Sequence, residues 1–221
     1  MDREFWLERW KSNQLGWHLE QVNPHLQAFW PSMPVPVGGR VFVPLCGKTV
    51  DMDWLAREGG HAVVGVELSE MACRDFFAEH GQTPEVADEG AFRRFSASGV
   101  TILCGDFFDL DAETLGPVDA VFDRASLIAL PPEMRPAYAR KMRELLPDRP
   151  PMLCWTLEYP QEQMDGPPFS VRQAEVEELF GDAYELEPLR DWDVIDESER
   201  FRERGLKELH ERVYRLLARE G

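Results

Sequence analysis

No apolar run in the 221 residues approaches the ~18 consecutive apolar residues of a membrane-spanning helix. The first ten, MDREFWLERW, are charged and amphipathic, without the apolar core of a secretory leader. Positive charge is scarce: 24 lysines and arginines stand against 41 aspartates and glutamates, a formal net charge of −17. Such a surface repels phosphate backbones, and no basic cluster offsets it, which argues against nucleic acid as a partner. The four cysteines (Cys46, Cys73, Cys104 and Cys154) have no CxxC spacing and no histidine cluster beside them. That pattern argues against a zinc site or a disulfide framework. It suits small buried residues of a reduced, cytoplasmic protein. Repeats and low-complexity tracts are missing as well.

Glycine is short where a phosphate-binding loop needs it. The stretch VFVPLCGKTVDMDWL carries Gly47-Lys48-Thr49, the ending of a Walker A loop, but Phe42 stands where the first glycine belongs. Without that glycine the backbone N–H groups cannot wrap a triphosphate. The GxGxxG turn of a dinucleotide fold is lacking too, and with it the pyrophosphate nest on a helix N-terminus.

What the chain does have is alternation. RVFVPL, AVVGVEL, VTILCGDFF, VDAVFDRA and PMLCWTLEY read as buried strands. DMDWLAREGG, EMACRDFFAEHG, PEMRPAYARKMRELLP and VRQAEVEELFG read as helices. Short apolar strands separated by helices predict a mostly parallel sheet wrapped on both faces, with ligands beyond the carboxyl ends of the strands. The length suits one α/β domain. Before the first strand, FWPSMPVPVGG breaks regular structure, and FWLERW suits a helix with Phe5, Trp6 and Trp10 at helical intervals. The tail stays open: YELEPLRDWDVI reads as a strand, while LKELHERVYRLLA is helix by propensity or strand by the alternation Leu209, Glu211, Val213.

Polar residues gather at the strand ends. After the first strand comes Leu45-Cys46-Gly47, and after the second Glu67, placed to accept both hydroxyls of a ribose. The third is followed by Gly105-Asp106-Phe107-Phe108 and the fourth by Asp123-Arg124. Singly, Glu67 also reads as a helix cap near Ser69, Asp106 as a turn residue, and Asp123-Arg124 as a structural ion pair. Together they predict one nucleoside-binding crevice. A cofactor without phosphates fits best, which points to S-adenosylmethionine, whose sulfonium cation suits aromatic faces and carboxylates.

The set FWLERW, PLCGKTVDMDWLA, GHAVVGVELSE, FFDL and DAVFDRASLIAL resembles the thiopurine S-methyltransferase family, in order and spacing, over nearly the whole chain. The resemblance implies a single class I methyltransferase (Rossmann-like) domain over residues 1–221, with 1–39 as an N-terminal lid or extension. Its sheet would be seven-stranded and mostly parallel with the last strand antiparallel, which would make the tail a strand. It implies S-adenosyl-L-methionine as cofactor and S-methylation of aromatic or heterocyclic thiols such as thiopurines, or of selenium or tellurium compounds. The missing metal-ligand spacing and the lack of any coiled-coil or membrane segment predict a monomer acting on a small molecule, with no metal and no membrane partner. Carried over by position, cofactor contacts fall on Trp10, Leu45, Glu67 and Arg124, with Asp106 and Phe107 flanking the adenine. The substrate-side aromatic falls on Trp17. Ala125 stands where many relatives have glycine.

Two roles for Arg124 stay open: holding a thiolate near the methyl group, or anchoring the cofactor carboxylate. Trp6, Trp10 and Trp17 read either as a lid or as a staple of the first helix to the core. A nicotinamide-dependent oxidoreductase and a non-catalytic binding module on the same fold are the rival functions.

Overall fold

The computed structural model describes residues 3–14, 16 and 18–219. Helices α1 (Arg3–Lys11) and α2 (Pro24–Phe29) precede strand β1 (Arg40–Val43). The chain continues through α3 (Asp51–Arg57), β2 (Ala62–Glu67), α4 (Glu70–Glu79), β3 (Glu85–Glu89), β4 (Phe92–Ala97) and β5 (Val100–Cys104). Next come α5 (Ala112–Leu115), β6 (Ala120–Asp123), α6 (Ser126–Ala129), α7 (Arg135–Leu145) and β7 (Met152–Glu158). The remainder is α8 (Gln173–Phe180), β8 (Tyr184–Asp193), α9 (Glu199–Glu203) and β9 (His210–Ala218).

Among the described residues these strands form one nine-stranded sheet in the order β3-β4-β5-β2-β1-β6-β7-β9-β8. Neighbours among β5, β2, β1, β6 and β7 are parallel. Helices cover both faces of such a sheet, so its strands are continuous apolar runs rather than alternating ones. Accordingly Val41, Phe42, Val64, Val66, Val121 and Leu153 are all essentially solvent-free. β9 runs antiparallel between β7 and β8, so the ambiguous tail is a strand.

The seven strands implied by the resemblance are β1, β2, β5, β6, β7, β8 and β9. The hairpin β3–β4 adds two more to one edge, antiparallel to each other and to β5. These two are half-exposed, and their sequences EVADE and FRRFSA mix charge with apolar residues, so neither announces itself as an apolar run.

Parallel pairing brings the carboxyl ends of β1, β2, β5 and β6 to one end of the sheet. The register sets Val43 beside Gly65 and Glu67 beside Cys104. Gly65 has no side chain for a packing reason: a Cβ there would lie 2.6 Å from the Cys46 sulfur. The turn after β1 can therefore fold down across β2, where Cys46 N–H donates to the Val66 carbonyl at 2.9 Å.

Candidate active site

The turn after β1 reverses sharply, with both Leu45 (φ +46°) and Gly47 (φ +55°) in the left-handed region. Glycine adopts that conformation freely, whereas leucine does so at a cost in strain, of the kind found where a backbone is held for a ligand. Glu67 braces the turn. Its Oε2 accepts from Gly47 N–H at 2.8 Å and its Oε1 from Ser69 N–H at 2.7 Å. A carboxylate has about four acceptor positions, so two backbone bonds leave capacity on a side chain that lines the cavity. The helix-cap reading of Glu67 is thus replaced: Ser69 itself caps α4, accepting from Ala72 N–H at 3.3 Å. Lys48, the Walker-like lysine, is engaged by Glu79 and by Asp75 (3.9 Å), both on α4.

Asp106 combines two roles. It accepts from Phe108 N–H at 2.9 Å, as a turn residue does, and its other oxygen lies 3.6 Å from Arg3 Nε on α1. Phe107 is 2% exposed and packs on Tyr138, with ring centroids 5.0 Å apart, so it belongs to the core as much as to the site. Both residues line the cavity, with the less buried Phe108 beside them. Trp10 is the buried residue of α1, and its ring comes within 3.5 Å of where a Gly47 Cβ would sit. Trp17, the expected substrate-side aromatic, lies outside the described residues.

Asp123 and Arg124 part company. The Asp123 carboxylate turns into the core, accepting from Tyr138 O–H at 2.7 Å and Ser126 N–H at 3.2 Å, and burial pushes it above the usual carboxylate range. Arg124 lines the cavity, its Nε 3.9 Å from Asp51 Oδ2 and its guanidinium carbon 5.9 Å from the Trp155 ring centroid. Burial lowers its affinity for its proton, and Asp51 and Glu211 oppose that. The sequence suggested neither acid as Arg124's company, because both arrive from far along the chain. His25 was missed for the same reason.

All this surrounds one cavity of about 600 Å³, within the usual range for a small-molecule site. One half lies over β1, β2 and β5, with Leu45, Glu67, Asp106 and Phe107. The other lies over β6, β7 and β9, with Arg124, Trp155, Leu157 and Glu211.

Burial raises the Glu67 carboxyl from 4.5 to about 7, against the pull of its backbone hydrogen bonds. A folded-state pKa above the unfolded one means that Glu67's contribution to stability is fullest below pH 4.5 and is lost as pH rises through 7. A ligand donating hydroxyl hydrogens favours the ionised form and so competes with the proton. The dissociation constant of such a ligand should therefore rise about tenfold from pH 8 to pH 6. Calorimetry checks this, with Glu67→Ala as the control expected to flatten the dependence.

The family model described as thiopurine S-methyltransferase (TPMT) matches residues 1–220. The chain belongs to the thiopurine S-methyltransferase family. It is 47% identical over 219 residues to the thiopurine S-methyltransferase of Nitrosospira multiformis, covering 99% of both chains. It is 48% identical over 216 residues to that of Pseudomonas fluorescens, covering 98% of this chain and 99% of the relative. Among solved structures it superposes on a SAM-dependent methyltransferase of Anabaena variabilis with TM-score 0.66 at 12% identity, covering 98% and 95% of the two chains. An N-methyltransferase of Haemonchus contortus, solved with S-adenosylhomocysteine, gives TM-score 0.64 at 12% identity, covering 89% of this chain and 52% of that one. The fold is that of S-adenosylmethionine-dependent methyltransferases. The thiopurine S-methyltransferase family's cofactor also fits the residues present: a buried carboxylate with spare acceptor capacity for a ribose, and apolar and aromatic walls for an adenine.

Proposed function

We infer that the protein transfers a methyl group from S-adenosylmethionine to the sulfur of an aromatic or heterocyclic thiol. The observation that carries this reading is the division of one cavity into a ribose-ready carboxylate end with Phe107 and an apolar end with Trp155 that holds a mostly buried guanidinium. When bound, the cofactor supplies an electrophilic methyl carbon. Glu67, Asp106 and Phe107 would hold its nucleoside, and the Leu45–Gly47 turn would lie along its edge. Trp155 offers a flat face and Leu157 an aliphatic one to a planar heterocycle, and Arg124 beside them holds the sulfur as a thiolate. Alignment is the main contribution a protein can make to such a displacement, with reacting atoms ~3–3.5 Å apart. Thiopurines are one acceptor class of this kind. Selenium and tellurium nucleophiles, softer and apolar-tolerant, are others that the same walls admit. A reducing, cytoplasmic compartment suits four free thiols.

Calorimetric titration separates this reading from its rivals. S-adenosylmethionine and S-adenosylhomocysteine should bind with one-to-one stoichiometry and NAD should not. Binding of NAD alone would favour an oxidoreductase.

Residues 1–39 serve as a lid in this reading, with Trp10 closing over the Gly47 turn. Trp10→Ala should raise the cofactor dissociation constant about tenfold, a change of about 1.4 kcal/mol. The melting temperature should fall by no more than about 4 °C, the shift of about 1 kcal/mol in a chain of this size. A larger fall with unchanged affinity would make Trp10 a staple instead.

A further inference from the structure

β9 carries an acid where its pattern calls for an apolar side chain. Leu209 and Val213 flank Glu211 at the two-residue period of a strand, and both are fully buried. Glu211 shares their face, yet its side chain keeps 27% exposure and lines the cavity. Its Oε2 lies 2.5 Å from His25 Nε2 on α2, and His25 lines the cavity beside it.

The histidine is held in place. His25 N–H donates to Asn23 Oδ1 at 2.8 Å, and Asn23 N–H donates to Asp51 Oδ1 at 2.7 Å. Asp51 in turn stands 3.9 Å from Arg124. Asn23 and His25 thus join Asp51, Arg124 and Glu211, which lie far away in sequence, in one connected network beside the cavity. His18, Lys48, Glu197 and Arg200 also line the cavity.

Methylation of a neutral thiol releases a proton, and the nucleophile is the thiolate. Arg124 can stabilise that anion but has no basic site, since guanidinium stays protonated. Asp51 is 1% exposed, and its oxygens already accept from Asn23 N–H and from Thr49 O–H at 2.9 Å. Glu211 combines acceptor capacity, access to the cavity and a histidine behind it.

We propose that Glu211, backed by His25, takes the proton from acceptor thiols that enter the site un-ionised. This rests on the S-methyltransferase reading above. The S–H bond breaks and its proton passes to the Glu211–His25 pair and then to water. The sulfur lone pair forms the new S–CH₃ bond as the methyl–sulfonium bond breaks, its electrons remaining on the cofactor sulfur. Thiols already ionised in solution would not use the pair, so it widens the substrate range to weakly acidic thiols.

The test compares two acceptors at one pH near neutrality: a heteroaryl thiol, mostly ionised, and an arylmethyl thiol, mostly protonated. Glu211→Gln keeps the side chain's shape but removes the proton acceptor. It should lower kcat on the arylmethyl thiol about 100-fold, the low end of general-base effects. On the heteroaryl thiol the change should stay under about threefold. His25→Phe should show the same selectivity more weakly. Cofactor affinity by calorimetry should be unchanged in both variants. In the cofactor-free protein, Glu211→Gln should shift the His25 Nε2 nitrogen resonance. Equal losses on both thiols, or none, would overturn the proposal, as would a wild-type enzyme that turns over only the ionised thiol. Absence of any wild-type thiol methylation despite cofactor binding would remove the underlying function as well.

Discussion

Arg124→Lys is expected to lower kcat for thiol methylation about 100-fold while changing the S-adenosylmethionine dissociation constant less than threefold. The geometry favours this split over the opposite one. Arg124 follows β6 directly and stands with Trp155, Asp51 and Glu211, whereas Glu67, Leu45 and Asp106 belong to the other half of the cavity. Lysine keeps the charge, but it loses the planar fork that can meet Asp51 and a sulfur anion together. Loss of one well-placed donor to a developing or reacting charge typically costs ~10²–10³ in kcat. Because the interaction is with the acceptor, saturating cofactor should not restore the rate. Weakened cofactor binding with a normal kcat at saturation would instead make Arg124 an anchor for the cofactor carboxylate.

Glu67→Ala should weaken S-adenosylmethionine binding about 10- to 150-fold, the value of hydrogen bonds to a charged group at ~1.5–3 kcal/mol. The same change removes the acceptor for Gly47 and Ser69 N–H, which loosens the turn after β1. α4 should survive, because Ser69 caps it independently. The variant should therefore keep its far-ultraviolet circular dichroism and lose affinity in calorimetry. An unchanged dissociation constant would reduce Glu67 to a brace between two turns.

The sheet was legible where burial on both faces wrote continuous apolar runs. RVFV, AVVGVE, AVFD and MLCWTLE could hardly be anything but central parallel strands. The β3–β4 hairpin was illegible because its half-exposed strands mix charged with apolar residues. In the site, Glu67 and Arg124 stood out because strand ends are read locally. Asp51, His25 and Glu211 did not, since their meaning depends on contacts spanning up to 186 positions of sequence. Glu211 did leave a trace, as the one acid in the alternation Leu209, Glu211, Val213, but an acid on a strand of unknown facing says little. Asp123 shows the reverse case: adjacent to Arg124 in sequence, it spends its carboxylate on Tyr138 and Ser126 in the core.

The most direct test of the central claim is to incubate the protein with S-adenosylmethionine and a heteroaryl thiol and weigh the products by mass spectrometry. The expected product is a thioether heavier than the thiol by one methylene, formed mole for mole with S-adenosylhomocysteine, and formed about 100-fold more slowly when Arg124 is replaced by lysine. S-adenosylmethionine bound and returned intact beside unmodified thiol, across aromatic and heterocyclic acceptors, would contradict it.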